Sequence, residues 1–165
     1  MARFVVVLPL VPLPAGDEFT VAEWPLHVTL VEPFQTGLGA PDVARVLRAA
    51  VAGVGIVRAT AGEEALFGRR RDVPVTLVRD GGALGSLRER AIGALRDVGI
   101  DVGRTRVEFR PHVTRKHHGR LRTGQRVELG TVALIDMRPP EGSHHRRVVD
   151  AWPLEPDEPS RRPRG

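Results

Sequence analysis

The tripeptide His-Val-Thr occurs twice, at His27 to Thr29 and at His112 to Thr114. Each copy stands just behind a proline, in Trp24-Pro25-Leu26-His27 and in Arg110-Pro111-His112. Proline can enter a strand at its first position, so both copies read as strand openings. Successive strand side chains point to opposite faces, which puts His27 on one face with Thr29, and His112 with Thr114. A fold that sets these strands side by side assembles two imidazoles and two hydroxyls, equipment suited to a phosphate diester. In 165 residues with 6 His, about 0.3 His-x-Thr matches are expected by chance. The shared context, more than the spacing, therefore carries the weight.

The rest of the chain predicts strands around two helices. Arg3 to Leu10 is β-branched and apolar enough for a buried strand, ended by Pro9, Pro12 and Pro14, and the first motif strand follows at about Leu26 to Val31. From Pro41, Val43, Val46, Leu47, Ala50 and Val51 recur at helical spacing, with Gly53 and Gly55 as the stop. Gly55 to Leu66 and Asp72 to Val78 read as strands joined through Gly68-Arg69-Arg70-Arg71. A second helix is predicted over about Gly82 to Val98, with Leu84, Leu87, Ala91, Leu95 and Val98 on one face and Gly99 as terminator. Strands follow near Phe109, at the second motif, at Val127 to Met137 and at Arg147 to Pro153. This order predicts an α+β fold with mainly antiparallel sheet, and two similar lobes facing each other would explain a duplicated motif. Residues 1–154 are expected to form a single domain, and 155–165, with three Pro and three Arg, a disordered tail.

Composition narrows the chemistry. The absence of Cys removes disulfides, thiolate nucleophiles and zinc-thiolate sites, and fits a reducing cytoplasm. Apolar runs such as Phe4 to Pro14 are too short to span a bilayer, and the first four residues lack a signal peptide's cleavage pattern. A soluble, cytoplasmic monomer with no membrane partner is expected. The formal charge of +5 and pI near 11.2 suit a phosphate-rich partner, although Lys116 is the single lysine and the arginine excess also fits genomic base composition. With no Tyr, five Phe and two Trp, a base-stacking platform has few candidates.

The chain resembles the 2H phosphoesterases, and within them the bacterial 2'-5' RNA ligase or RNA 2',3'-cyclic phosphodiesterase family. The resemblance rests on His27-Val28-Thr29-Leu30 and His112-Val113-Thr114-Arg115, on the opening strand, on the two helices, and on Val148 to Leu154, so it covers about residues 3 to 154. Arg115 departs from the pattern, since the family usually has an apolar residue there. The resemblance implies a bilobal fold with two mainly antiparallel sheets facing each other across a central cleft, helices on the outside, and one motif from each lobe. It implies a mechanism without metal or other cofactor, in which one of His27 and His112 acts as base and the other as acid. Thr29 and Thr114 would hold the non-bridging phosphate oxygens. The implied reaction opens a 2',3'-cyclic phosphate at an RNA end or in a nucleotide, and an RNA 5'-hydroxyl in place of water would give 2'-5' ligation without ATP.

Other residues have weaker claims. Arg115, Lys116 and Arg120, and the Arg69-Arg70-Arg71 turn, could grip phosphate, Arg bidentately. His117-His118 and His144-His145 suggest metal ligation, but adjacent strand residues face opposite ways and no carboxylate has chelating spacing, so no metal site is expected. Asp72, Asp80 or Asp101 could orient an imidazole through its second nitrogen, and the sequence does not choose among them. A competing reading, supported by Arg115, is a catalytically weak RNA- or nucleotide-binding module.

Overall fold

A computed structural model describes residues 1–103 and 108–156 of the chain. Next to the central strand lies β1 (Ala2–Pro9), whose two faces are both covered. Phe4, Val6 and Leu8 join the larger core, while Val5 and Val7 join a smaller one on the opposite side. A strand buried on both faces must be apolar without alternation, which explains the run at the start of the sequence.

Around β1 lie β2 (Glu18–Thr20), β3 (His27–Thr36), β4 (Val57–Phe67), β5 (Val73–Arg79), β6 (His112–Thr114), β7 (Arg126–Leu129), β8 (Thr131–Asp136) and β9 (His145–Pro153). They run in the order β2-β9-β8-β1-β3-β6-β5-β4-β7, and the pairs between neighbours are antiparallel. The fold is thus the expected α+β class. Its two antiparallel halves, β2-β9-β8-β1-β3 and β6-β5-β4-β7, meet at β3 and β6, where the register pair Val28↔Val113 joins them into one nine-stranded sheet.

Helices α1 (Ala40–Val51) and α2 (Ala83–Asp97) pack on each other and against the face of the sheet that carries Val28 and Val113. Val43, Ala44, Leu47 and Val51 of α1 and Leu84, Leu87, Ala91, Ile92 and Leu95 of α2 supply the buried stripes. Gly53 and Gly99, with φ of 77° and 82°, provide the left-handed turns after each helix. Val98, expected on the buried face, is exposed because α2 stops one residue earlier.

The predicted strand over Val127 to Met137 is two strands divided at Gly130. β7 pairs with β4 in one half, and β8 pairs with β1 and β9 in the other. The apolar run is continuous because both strands need it, and it hides the change of partner. The strand expected to end near Phe109 runs back into residues 104–107, outside the described residues. Of the tail, Glu155 bridges to Gly55, and residues 157–165 lie outside the described residues. No helix among the described residues is long and apolar enough to cross a membrane.

Candidate active site

Val28 and Val113 are fully buried under the helices, so strand alternation turns His27, Thr29, His112 and Thr114 to the opposite face. Extending the antiparallel register one residue each way from Val28↔Val113 sets His27 opposite Thr114 and Thr29 opposite His112. Each motif's imidazole faces the other motif's hydroxyl, an approximate two-fold arrangement. The two histidines are diagonal neighbours, a relation that spaces residues by about 7–8 Å, close enough for two rings to flank one phosphorus atom.

The local sequence fixes both rings in the same way. His27 Nδ1 lies 2.8 Å from the carbonyl oxygen of Pro25, and His112 Nδ1 lies 2.8 Å from that of Arg110, in each case two residues back. A carbonyl only accepts, so the hydrogen sits on Nδ1 and Nε2 becomes the nitrogen that gains or loses a proton. Main-chain carbonyls thus hold the Nδ1 atoms, a role for which Asp72, Asp80 and Asp101 were only candidates. The Asp80 carboxylate instead accepts from the amides of Gly82 and Leu84 at the start of α2, and Asp101 accepts from the amide of Gly103.

Beyond that shared bond the surroundings diverge. The buried Trp24 indole stacks on His27, with ring centroids 4.3 Å apart and 24° between planes. Burial lowers the His27 pKa from its ordinary value to about 4. The Pro25 carbonyl opposes the shift, while Lys116 and His112 add to it. Lys116 Nζ lies 5.8 Å and the Arg146 guanidinium 5.5 Å from the Trp24 ring. Burial first, and Arg146 second, also push the Lys116 ammonium below its usual pKa. His112 meets Phe67 edge-on at 4.6 Å, and the Arg110 guanidinium lies 5.1 Å from the same ring.

His112 and Thr29 open into a cleft of about 650 Å³ whose wall includes Phe67, Phe109, Arg69, Arg71, Arg110 and Glu32. Three of the seven Phe and Trp residues stand beside the motif histidines. Trp24 covers one histidine, while Phe67 and Phe109 line the cleft beside the other. Arg115 does not join the two motifs. It lines a separate groove of about 330 Å³ with Arg120, which is paired to Glu64 at 3.3 Å, and Leu66 borders both spaces. His118 Nε2 lies 3.1 Å from the Trp24 carbonyl, and His117 lies 3.5 Å from Glu23. Among the described residues no group of three or more His, Cys, Asp or Glu is placed to hold a metal ion.

Trp24, Phe67 and the two carbonyls had no role in the sequence reading. A tryptophan three residues before a motif histidine is the one local signal for them. Phe67, from the end of β4, meets His112 across the intervening β5 and left no trace in spacing.

A family model described as the 2'-5' RNA ligase superfamily matches residues 14–128, a span that contains both motifs. No curated protein matches the chain. Among solved structures, TT0787 of Thermus thermophilus aligns over 96% of this chain and 100% of its own, with a TM-score of 0.64 and 18% identity. E. coli LigT complexed with 3'-AMP aligns over 93% and 98%, with a TM-score of 0.58 and 15% identity. A structure described as a phosphoesterase aligns over 93% and 99%, with 0.58 and 16%. At such identities the likeness is one of fold.

Proposed function

Since the chain belongs to the 2'-5' RNA ligase superfamily, we propose that it opens 2',3'-cyclic phosphates of RNA ends or nucleotides, with 2'-5' RNA ligation where an RNA 5'-hydroxyl replaces water, and that His27 and His112 carry the proton transfers. The observation that carries this reading is the pairing of the motifs across Val28↔Val113, with both Nδ1 atoms tied to main-chain carbonyls. A water oxygen attacks phosphorus, a bond from phosphorus to a ribose oxygen breaks, and the ring becomes a monoester. The attacking water loses a proton to one imidazole, and the departing ribose oxygen gains one from the other. The lowered pKa of His27 keeps it neutral near pH 7, which suits the base, so His112 is the donor. In ligation an RNA 5'-hydroxyl attacks the cyclic phosphate in place of water, loses its proton to the same base, and the departing ribose oxygen takes one from the same acid.

Thr29 and Thr114 are the hydrogen-bond donors to the non-bridging oxygens, where charge grows in the transition state. Lys116 adds a positive charge on the His27 side, and Arg110, Arg69 and Arg71 add charge along the cleft. Arg115 belongs to the substrate-binding set by way of the groove that adjoins the cleft at Leu66, where it meets an RNA strand beyond the reacting phosphate.

The test is hydrolysis of nucleoside 2',3'-cyclic phosphates and of RNA with cyclic-phosphate ends, each with and without a chelator. Opening that survives the chelator and is lost in His27→Ala and His112→Ala is expected. RNA binding without turnover in either substrate series overturns the enzymatic reading in favour of a binding module.

A further inference from the structure

The face of the sheet that carries His112 continues across β5, β4 and β7, and it holds a second basic site there. His112 stands opposite Leu77, and Arg79 lies two residues further along β5 on the same face. Arg79 stands opposite Thr60 of β4, which in turn stands opposite Arg126 of β7. One row across three strands is therefore Arg79, Thr60, Arg126. Facing residues of an antiparallel pair lie about 5 Å apart, so the two arginines flank the Thr60 hydroxyl. All three line a groove of about 500 Å³, apart from the cleft at the histidines. A Cβ at Gly62, where β4 changes register, would come within 3.2 Å of Arg79 Nε, and its absence lets the Arg79 chain lie against the sheet.

The acids around this row are already engaged. Glu128 pairs with Arg58 at 3.4 Å, and the Asp80 carboxylate accepts from the amides of Gly82 and Leu84. Among the described residues neither Arg79 nor Arg126 has an acidic partner. Two guanidiniums on one row repel each other, and an anion seated between them replaces that repulsion with attraction. A phosphodiester suits the place, since its two non-bridging oxygens offer an acceptor to each planar guanidinium and the hydroxyl can donate to either. By strand and residue spacing, Thr60 lies about 12 Å from His112 along the sheet, two strands across and two residues on. A nucleoside cyclic phosphate has a single phosphorus and cannot fill both places, so the second phosphate belongs to a neighbouring nucleotide. We propose that Arg79 and Arg126, with Thr60 between them, hold a backbone phosphodiester of the RNA strand whose cyclic end lies at the two histidines, and so favour polynucleotide over mononucleotide substrates. The proposal rests on the hydrolytic reading above for the place of the cyclic end.

The test compares a nucleoside 2',3'-cyclic phosphate with a short cyclic-ended RNA, in the unmodified chain and in the double variant Arg79→Ala with Arg126→Ala. Both side chains are exposed, so the variant should keep its circular dichroism spectrum, and Arg126→Gln alone serves if it does not. In the unmodified chain kcat/KM should favour the RNA by at least about tenfold, and in the double variant that advantage should shrink to within about threefold, through KM. The salt slope of binding to an RNA that ends in an ordinary 3'-phosphate should fall by about 0.7, the loss of one phosphate contact on a single strand. An RNA advantage that the double variant retains, or none in the unmodified chain, overturns the role of the row and leaves the hydrolytic reading standing. Inorganic phosphate whose binding the double variant loses, while its RNA binding is unchanged, would assign the row to a free anion and overturn it likewise. RNA binding that depends on both arginines, without opening of any cyclic end, keeps the row and removes the hydrolytic reading.

Discussion

The two His-Val-Thr segments share three residues, a preceding proline and the same main-chain bond at Nδ1, yet they occupy contrasting surroundings. His27 lies beneath Trp24 with Lys116 nearby, and its ring is held neutral by desolvation. His112 stands at the mouth of the larger cleft, edge-on to Phe67 and close to Arg110. The motif therefore sets where each ring sits and which nitrogen reacts. The proton affinity of His27 is set by its surroundings rather than by the motif, which is what the proposed division of the two rings into base and acid requires.

The largest expected effect comes from removing either ring. His27→Ala and His112→Ala should each lower kcat for a cyclic nucleotide by about two to four orders of magnitude with an unchanged circular dichroism spectrum. The double variant should be little worse than the poorer single one, because the two rings act as a unit. Retained turnover in one single variant would confine the chemistry to one half of the molecule and break the comparison.

A second test isolates the burial of His27. Its folded pKa near 4 lies below the usual 6.5 of an unfolded histidine, so between those values the unfolded chain binds a proton that the folded chain refuses. This ring's contribution makes stability rise with pH from about 4 to 6.5, by about 3 kcal/mol in total, and stay level above that window. Urea unfolding across pH 4 to 7 measures the slope. His27→Gln should abolish this part of it, and an unaltered slope would show that the acid sensitivity arises elsewhere.

Trp24→Ala sharpens the contrast by making the first site more like the second. With its cover gone, the His27 pKa should rise by at least about one unit, read by NMR titration of the ring protons. The acid limb of kcat/KM should move up with it, since a base of higher pKa is neutral over less of the acid range. A ring whose pKa stays near 4 would mean that another element excludes water from it. The smallest effect is expected at Arg115. Arg115→Ala should leave turnover of a mononucleotide within about twofold, raise KM for a cyclic-ended oligonucleotide about threefold, and reduce the salt slope of RNA binding by about 0.7. Equal effects on both substrates would bring Arg115 to the reacting phosphate itself.

Much of this arrangement was legible in the sequence, for identifiable reasons. Both helices were marked by periodic apolar residues ended by Gly53 and Gly99, and β1 by its unbroken apolar run. The four motif side chains were legible because strand alternation is strictly local. What was hidden depends on contacts between distant segments. The division at Gly130 is a change of partner rather than of composition, and β2, three residues long, exists through its pairing with β9. The orienting groups of both imidazoles are main-chain carbonyls, which every residue possesses and no spacing announces. Glu32, just beyond the predicted first motif strand, gave no sign of the Arg88 that α2 brings against it.

The join at Val28 and Val113 has a mechanical meaning. Each imidazole stands on its own half of the sheet, and the two halves are joined where these two buried aliphatic residues pair. On the reading of His27 and His112 as a proton-transfer pair, the separation of the rings is therefore fixed from behind, by two methyl-bearing side chains on the far face of the sheet.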